Sequence, residues 1–135
     1  MKAKIIPEPK RVLLWNCSPG SDQYTQLEEL CRRYGLEPKA VGGMDADKTV
    51  EFLCGFRGAS QAAALLALED DAYPPALILC GLEREKVSEF VDKVNGCGIQ
   101  IPLKAMVTIH NRDWMLSQLL AELVRERKEW EGKEV

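Results

Sequence analysis

The stretch that decides the fold is Ala76-Leu77-Ile78-Leu79-Cys80, five consecutive apolar residues that follow two prolines and precede Gly81. An apolar run this short, with no polar residue at alternate positions, is typical of a strand buried on both faces. A second run, R-V-L-L-W-N-C from Arg11 to Cys17, has the same character. Two strands of this kind predict a sheet that is covered by helices on both sides.

Two further strands and several helices are predicted around these runs. Pro38 to Val41 and Leu103 to Thr108 are the shorter strands, and apolar residues recur at helical spacing between the strands. The predicted helices begin at Ser21, at Asp45 or Asp47, at Ser60 (ending at Leu68), at Glu83 (ending at Val94), and at Asn111 or Asp113.

This alternation predicts an α/β fold: a single three-layer domain with a four-stranded parallel sheet, in strand order 2-1-3-4 along the sheet, and helices on both faces. Such an arrangement is flavodoxin-like or receiver-like. We expect one domain over residues 1–135, with a loosely ordered N-terminal extension at residues 1–10 and a loosely ordered charged tail at residues 128–135. The sequence shows no evident internal repeat.

Composition narrows the class of protein. The chain has 135 residues, with 18 basic and 21 acidic side chains and a net charge of −3. An acidic balance argues against nucleic-acid binding, which needs a basic surface. No apolar run approaches the roughly 18 residues of a membrane span, and the N-terminus does not resemble a signal peptide. Five cysteines without a C-x-x-C pair indicate reduced thiols, so we expect a cytoplasmic protein with no membrane association and no cofactor.

Candidate site residues follow from the predicted parallel sheet. In such sheets ligands bind beyond the carboxyl ends of the strands, where the strand order reverses. Three loops are expected at that edge, and together they supply the candidate ligand-binding residues: Asn16, Cys17, Ser18, Ser21, Cys80, Gly81, Thr108, His110 and Asn111.

Each chemical interpretation of these loops has a structural alternative. The first loop offers helix N-terminal amides to an anion, or is a tight turn with a cap. Cys80 and His110 form a nucleophile and base, or are a buried thiol and a loop side chain. Cys17, Cys80 and His110 are the only residues we propose as ligands should the protein hold a metal, although their spacing matches no zinc motif. We favour the structural alternatives, and assign no catalytic residue.

The C-terminal half carries a family resemblance. The segments A-L-I-L-C-G-L from Ala76 and L-K-A-x-x-T-x-x-N-x-x-W from Leu103, within a match from Ala76 to Arg127, resemble a family of small bacterial or archaeal proteins known as domain of unknown function 3783. The resemblance implies no activity, but it points to Lys104, Thr108, Asn111 and Trp114. Thr108 and Asn111 alternatively cap the last helix, and Trp114 packs its first turn onto the core.

A receiver-like topology does not bring receiver chemistry. Cys80 stands where a receiver has its phosphate-accepting aspartate, and Asn16 and Cys17 stand where it has an acidic pair, so hard oxygen ligands for magnesium are missing. We therefore expect a non-catalytic interaction or regulatory module that acts through a protein partner or as a homodimer. Trp130 would then be either a core-edge residue or an interface residue. The alternative is a small-molecule, anion or metal binder that uses the strand-end loops.

Overall fold

A computed structural model of the protein describes residues 9–18, 20–59 and 68–133, and only the backbone helix over residues 129–133. Most of the helix predicted from Ser60 to Leu68, and the side chain of Trp130, lie outside the described residues. A short 3₁₀ turn covers Gly43–Asp45. The strands are β1 (Arg11–Trp15), β2 (Glu37–Val41), β3 (Ala76–Cys80) and β4 (Leu103–Met106), and the helices are α1 (Asp22–Arg33), α2 (Val50–Cys54), α3 (Arg84–Gly96) and α4 (Leu116–Lys133).

The four strands form one sheet in the order β2-β1-β3-β4, which confirms the predicted order. β1 pairs with β2, and β3 with β4, in parallel, but β1 and β3 are antiparallel, with Arg11 opposite Cys80 and Trp15 opposite Ala76. The prediction of an all-parallel sheet was therefore wrong, and the fold departs from flavodoxins and receivers in this respect. The physical reason is that a strand buried on both faces is apolar at every position, so its sequence carries no sign of its direction.

Each face of the sheet carries its own apolar core. On one face Leu13, Trp15, Ile78 and Cys80 pack with residues of α2 and α4. On the other face Val12, Leu14, Leu77 and Leu79 pack with residues of α1 and α3. All eight strand residues are at most 1 % exposed, so the two central strands are covered on both sides.

The mixed sheet explains why α1 and α3 share a face. Strand–helix–strand crossovers between parallel strands are right-handed. From β1 the chain crosses to the strand on one side, and from the oppositely directed β3 it crosses to the strand on the other side. In the second unit both the direction of the first strand and the side to which the chain crosses are reversed. The two changes cancel, so both crossover helices lie on the same face.

Local signals set most helix ends. The Ser21 side chain accepts a hydrogen bond from the Tyr24 amide (3.1 Å), as predicted for a helix cap. The cap of α2 is Thr49, whose hydroxyl accepts from the Phe52 amide at 3.3 Å, and neither Asp45 nor Asp47 takes that role. The last helix begins at Leu116, later than Asn111 or Asp113, because a turn occupies the residues before it.

The chain contains two structurally equivalent units. We call β1-α1-β2-α2 (residues 11–54) the first unit and β3-α3-β4-α4 (residues 76–133) the second unit. After each crossover helix a glycine with positive φ, Gly35 (68°) or Gly98 (76°), reverses the chain. The next amide then bonds back into the helix, Leu36 to the Cys31 carbonyl and Ile99 to the Val94 carbonyl. The expectation of no repeat was therefore wrong at the level of structure.

The two units also join each other symmetrically. The Val50 amide donates to the Trp114 carbonyl and the Leu116 amide to the Lys48 carbonyl, both at 2.9 Å. Val50 corresponds to Leu116, and Lys48 to Trp114, at one constant offset of 66 residues. Glu51 to Arg112 (2.7 Å) and Ser117 to Ala46 (2.9 Å) form a second pair with the same offset. We call residues 46–51 and 112–117 the inter-unit bridge; an approximate two-fold axis passes between its two segments and between β1 and β3.

Candidate binding groove

The end of β1 is a turn fixed by one carbonyl. Asn16 adopts a positive φ of 54°, the only residue other than glycine to do so in the described ranges. Its side-chain amide donates to the Tyr73 carbonyl at 3.1 Å, and the Trp15 indole donates to the same oxygen at 3.1 Å. Asparagine tolerates this backbone conformation better than most side chains. The turn therefore holds Cys17 and Ser18 in a defined position at the sheet edge.

Cys17 is a protonated thiol in this position. Burial raises the pKa of the Cys17 thiol to about 11, and the thiol donates a hydrogen bond to the Trp15 carbonyl, with 3.4 Å between Sγ and the oxygen. Since the thiolate is the nucleophile and the metal ligand, a thiol held in this form is poorly suited to either role. Cys17 therefore contributes to the site as a small, weakly polar side chain that lines it.

Four adjoining clefts run along this edge of the sheet. The cleft of about 160 Å³ at Cys17 shares Asn16, Cys17 and Ser18 with a cleft of about 260 Å³ beside Gly42. On its other side it shares residues 99–101 with a cleft of about 470 Å³. That cleft in turn shares residues with a fourth, of about 240 Å³. We call this row of adjoining clefts the edge groove; its polar lining residues include Asn16, Cys17, Ser18, Ser21, Asp70, Gln100, Lys104 and Arg127.

The two ends of the edge groove differ in charge. Lys104 on β4 and Arg127 on α4 line both clefts at one end, with Glu126 lining the outermost cleft. Burial, and next the Arg127 guanidinium, lower the pKa of Lys104. Arg127 donates to the Pro102 carbonyl at 3.2 Å. At the opposite end Asp70 accepts a hydrogen bond from the Gly43 amide at 2.7 Å. The groove is thus polarised along its length.

Cys80 and Gly81 lie at the opposite edge of the sheet from Cys17. Because β1 and β3 are antiparallel, Cys80 pairs with Arg11, at the start of β1. Five strand residues at about 3.3 Å each separate the two edges by roughly 15 Å. Cys80 is fully buried among residues of α2 and α4. Gly81 has a φ of 89°, and a Cβ there would collide with the Pro9 carbonyl. Its role is therefore to allow the close approach of the backbone at Pro9.

Thr108, His110 and Asn111 build the turn before α4. The Asn111 side chain accepts from the Thr108 amide (2.9 Å) and donates to the Met106 carbonyl (3.1 Å). The Thr108 hydroxyl accepts from the His110 amide at 3.2 Å. Trp114 is half-buried against the core that contains α2 and α4. The side chains of Thr108 and Asn111 thus stabilise the turn itself, and the bonds described here do not reach α4, which begins at Leu116, so the alternative that they cap this helix is not supported. Trp114 packs against the core, as its structural alternative predicted.

The predicted three-residue metal set does not form. Cys17 lies at one edge, Cys80 is buried near the other, and His110 is exposed in its turn. The described residues contain no group of three or more His, Cys, Asp or Glu side chains placed to hold a metal ion. Within the same ranges, none of the helices combines the length and apolar character that crossing a membrane requires.

The sequence anticipated half of the groove. Asn16, Cys17, Ser18 and Ser21 line it, because they are neighbours in one loop and need no assumption about the sheet. The family resemblance supplied Lys104. Asp70, Gln100 and Arg127 were missed: each is a polar residue in a loop or on a helix, and only the antiparallel pairing of β1 and β3 brings their loops to the end of β1.

The fold and this edge define a small α/β domain with a mixed sheet, two equivalent units and a groove along one edge. Residues 75–129 match the model of the family described as Domain of unknown function (DUF3783), which confirms the resemblance found in the sequence. The matched range covers β3, α3, β4 and most of α4, which is the second unit. Comparison with curated proteins and with solved structures found no match.

Proposed function

We propose that the protein is a non-catalytic interaction module, with a regulatory role through its partner, that binds an extended segment of a partner protein along the edge groove. The observation that carries the proposal is the row of four adjoining clefts, each of which shares lining residues with the next. We also propose a cytoplasmic location, supported by five free thiols, of which Cys31, Cys54 and Cys80 are buried.

The dimensions of the groove favour a peptide over a compact ligand. Small-molecule sites are usually single cavities of about 300–1,000 Å³. Here three of the four compartments, at about 160, 240 and 260 Å³, fall below that range. Four strands spaced about 4.8 Å apart separate the outer strands by roughly 15 Å, which is the length of four or five residues of extended chain.

Charge gives the bound segment a direction. Among the described residues at one end, Lys104 and Arg127 outnumber the one carboxylate, Glu126, so an acidic side chain or a C-terminal carboxylate is favoured there. Asp70 at the other end favours a basic or amide group. Between them Ser18 and Gln100 offer hydrogen bonds, and Leu27, Pro75 and Ile99 offer apolar contact.

The proposal is tested by selecting random octapeptides on the folded full-length protein and measuring the binding of the enriched peptides by fluorescence anisotropy. We expect enriched peptides to carry an acidic residue near one end. Lys104→Glu combined with Arg127→Glu should weaken binding at least tenfold. The control is Arg32→Glu, an exposed charge reversal in the last turn of α1, which ends at the opposite edge of the sheet, and it should leave binding unchanged.

Two results would overturn the proposal. One is the absence of enrichment above background. The other is a set of peptides whose affinity is the same for the groove variant and the wild-type protein. Circular dichroism of each variant verifies that the fold is intact, and Ser18→Trp, an exposed position that narrows the groove without changing charge, provides an independent block.

A further inference from the structure

The second unit has a cleft equivalent in position to the one at Cys17. The Cys17 cleft is lined by the residue before β3 (Pro75), the second residue after β1 (Cys17), and the third and sixth residues of α1 (Tyr24 and Leu27). At the opposite edge of the sheet a cleft of about 350 Å³ repeats this pattern. It is lined by the residue before β1 (Lys10), the second residue after β3 (Leu82), the third and sixth residues of α3 (Lys86 and Glu89), and also by Arg33, Tyr34 and Lys93.

The two equivalent clefts differ in charge. None of the described residues that line the Cys17 cleft is charged. The described lining of its counterpart holds four cations and one carboxylate: Lys10, Arg33, Lys86, Lys93 and Glu89. We call this counterpart the basic cleft. Four cations in one cleft are unexpected by composition alone in a chain whose net charge is −3.

The ion pairs within the basic cleft leave a surplus of positive charge. Glu89 lies 3.4 Å from the Lys86 ammonium and 4.0 Å from the Lys93 ammonium. The Tyr34 hydroxyl, and next the Lys86 ammonium, lower the pKa of Glu89, which keeps it ionised. Arg33 pairs with Glu29 on the outer side of α1 at 3.1 Å. Among the described residues of the cleft, counting both carboxylates against the four cations leaves two positive charges.

Tyr34 gives this cleft a rigid floor. Its ring packs edge-on against the buried Phe90, with 5.4 Å between the centroids, and the Lys93 ammonium lies 5.7 Å from its centroid. One lining residue is thus fixed by core packing, and the lysines surround it on flexible stems. This arrangement suits a compact anion that draws several ammonium groups together.

We propose that the basic cleft binds the phosphate group of a small phosphorylated molecule. A phosphate monoester carries close to two negative charges at neutral pH, which matches the surplus in the cleft. A cleft of about 350 Å³ lies within the range of small-molecule sites. This site is independent of the edge groove, since the two lie at opposite edges of the sheet.

The test is an amide NMR titration of the full-length protein with glucose 6-phosphate, using glucose and potassium chloride at equal ionic strength as controls. We expect saturable shifts at Gly81, Leu82 and Lys86 with glucose 6-phosphate and none with either control. A parallel titration with inorganic phosphate separates recognition of the phosphate group alone from recognition of the ester. Saturable shifts in both titrations support the proposal.

Charge-neutralising variants complete the test. Lys86→Gln combined with Lys93→Gln should weaken binding at least tenfold, while Lys128→Gln, an exposed lysine on α4 across the sheet, should leave it unchanged. Shifts that do not saturate, that spread over the whole surface, or that persist undiminished in the double variant would overturn the proposal. Because the peptide experiment uses other residues at the other edge, the two proposals succeed or fail separately.

Discussion

The first and second units use the same backbone plan with different residues, and the difference shows which features the plan requires. Both units place a positive-φ residue directly after the first strand, Asn16 (54°) in one and Gly81 (89°) in the other. In the second unit the Pro9 carbonyl approaches so closely that only glycine fits. In the first unit there is room for a side chain, and Asn16 uses it to bond the Tyr73 carbonyl. The backbone turn is therefore common to both units, and the side chain follows the space available.

The two units also differ in what covers the turn after their second strand. In the first unit Gly43 is buried, and the Leu68 amide donates to its carbonyl at 3.1 Å. The residue at the same offset in the second unit is Ile109, which is 76 % exposed. Leu68 thus covers Gly43, and the turn that is exposed in the second unit is buried in the first.

The largest expected difference in stability between equivalent positions of the two units is at Gly43 and Ile109. A Cβ added there would collide with the Leu68 carbonyl, so Gly43→Ala should lower the free energy of unfolding by more than about 4 kcal/mol. Ile109→Ala should change it by less than about 0.5 kcal/mol, because the side chain is exposed. Urea denaturation followed by circular dichroism measures both. Similar losses for the two variants would show that the turns are equally enclosed.

An intermediate effect on stability is expected at a hydrogen bond that both units make in the turn after their second strand. The Asp45 side chain accepts from the Gly42 amide (3.0 Å), and Asn111 accepts from the Thr108 amide (2.9 Å) at the same offset of 66 residues. Each change to alanine should cost about 1 kcal/mol, as for a lost helix cap. Asp45→Asn keeps the acceptor while removing the ion pair with Lys48, and should cost less than about 0.5 kcal/mol. If urea denaturation shows a loss of stability for only one of the two alanine variants, the two turns are not equivalent.

The smallest effect concerns the thiols of the two units. With a pKa of about 11, Cys17 is thiolate in only about one molecule in a thousand at pH 8. The exposed Cys97 of the second unit should therefore react with iodoacetamide at least tenfold faster than Cys17 does, as measured by peptide mass spectrometry. Equal rates in 8 M urea serve as the control, and equal rates in the folded protein would refute the difference.

The same shift predicts a pH dependence of stability. The folded protein holds the Cys17 proton more tightly than the unfolded chain does. In the unfolded chain the pKa of a cysteine thiol is about 8.5. The resulting stabilisation is complete below that pH, and it is lost as the pH rises from about 8.5 towards 11. The urea midpoint should accordingly fall over this range, and Cys17→Ser should remove this contribution to the fall.

Sequence reasoning predicted the elements and their order in the sheet because those depend on local signals. The apolar run at Ala76–Cys80 and the Ser21 cap each act within a few residues. The direction of β3 relative to β1 depends on the path of the chain between them, to which a uniformly apolar strand gives no clue. That one error moved Cys80, Thr108, His110 and Asn111 away from Cys17, and it accounts for the part of the site that was wrong.

The repeat was hidden for a related reason. Between residues 41–54 and 107–120 the offset of 66 leaves only Val41/Val107, Asp47/Asp113 and Leu53/Leu119 identical. Other positions keep a physical property rather than a residue type, such as the oxygen acceptor of Asp45 and Asn111. The match of residues 75–129 to a family model covers one unit alone, so the equivalence of the other unit emerges only from its hydrogen bonds.

The inter-unit bridge has a consequence for how the molecule opens. The amides of Val50 and Leu116 lie far apart in the chain, and each is held by a carbonyl of the other unit. Neither bond survives the separation of the units, and the β1–β3 ladder ties the same two halves together at the centre of the sheet. The protein is therefore expected to unfold as one cooperative body, with the two halves exchanging their bridge amides in the same opening event.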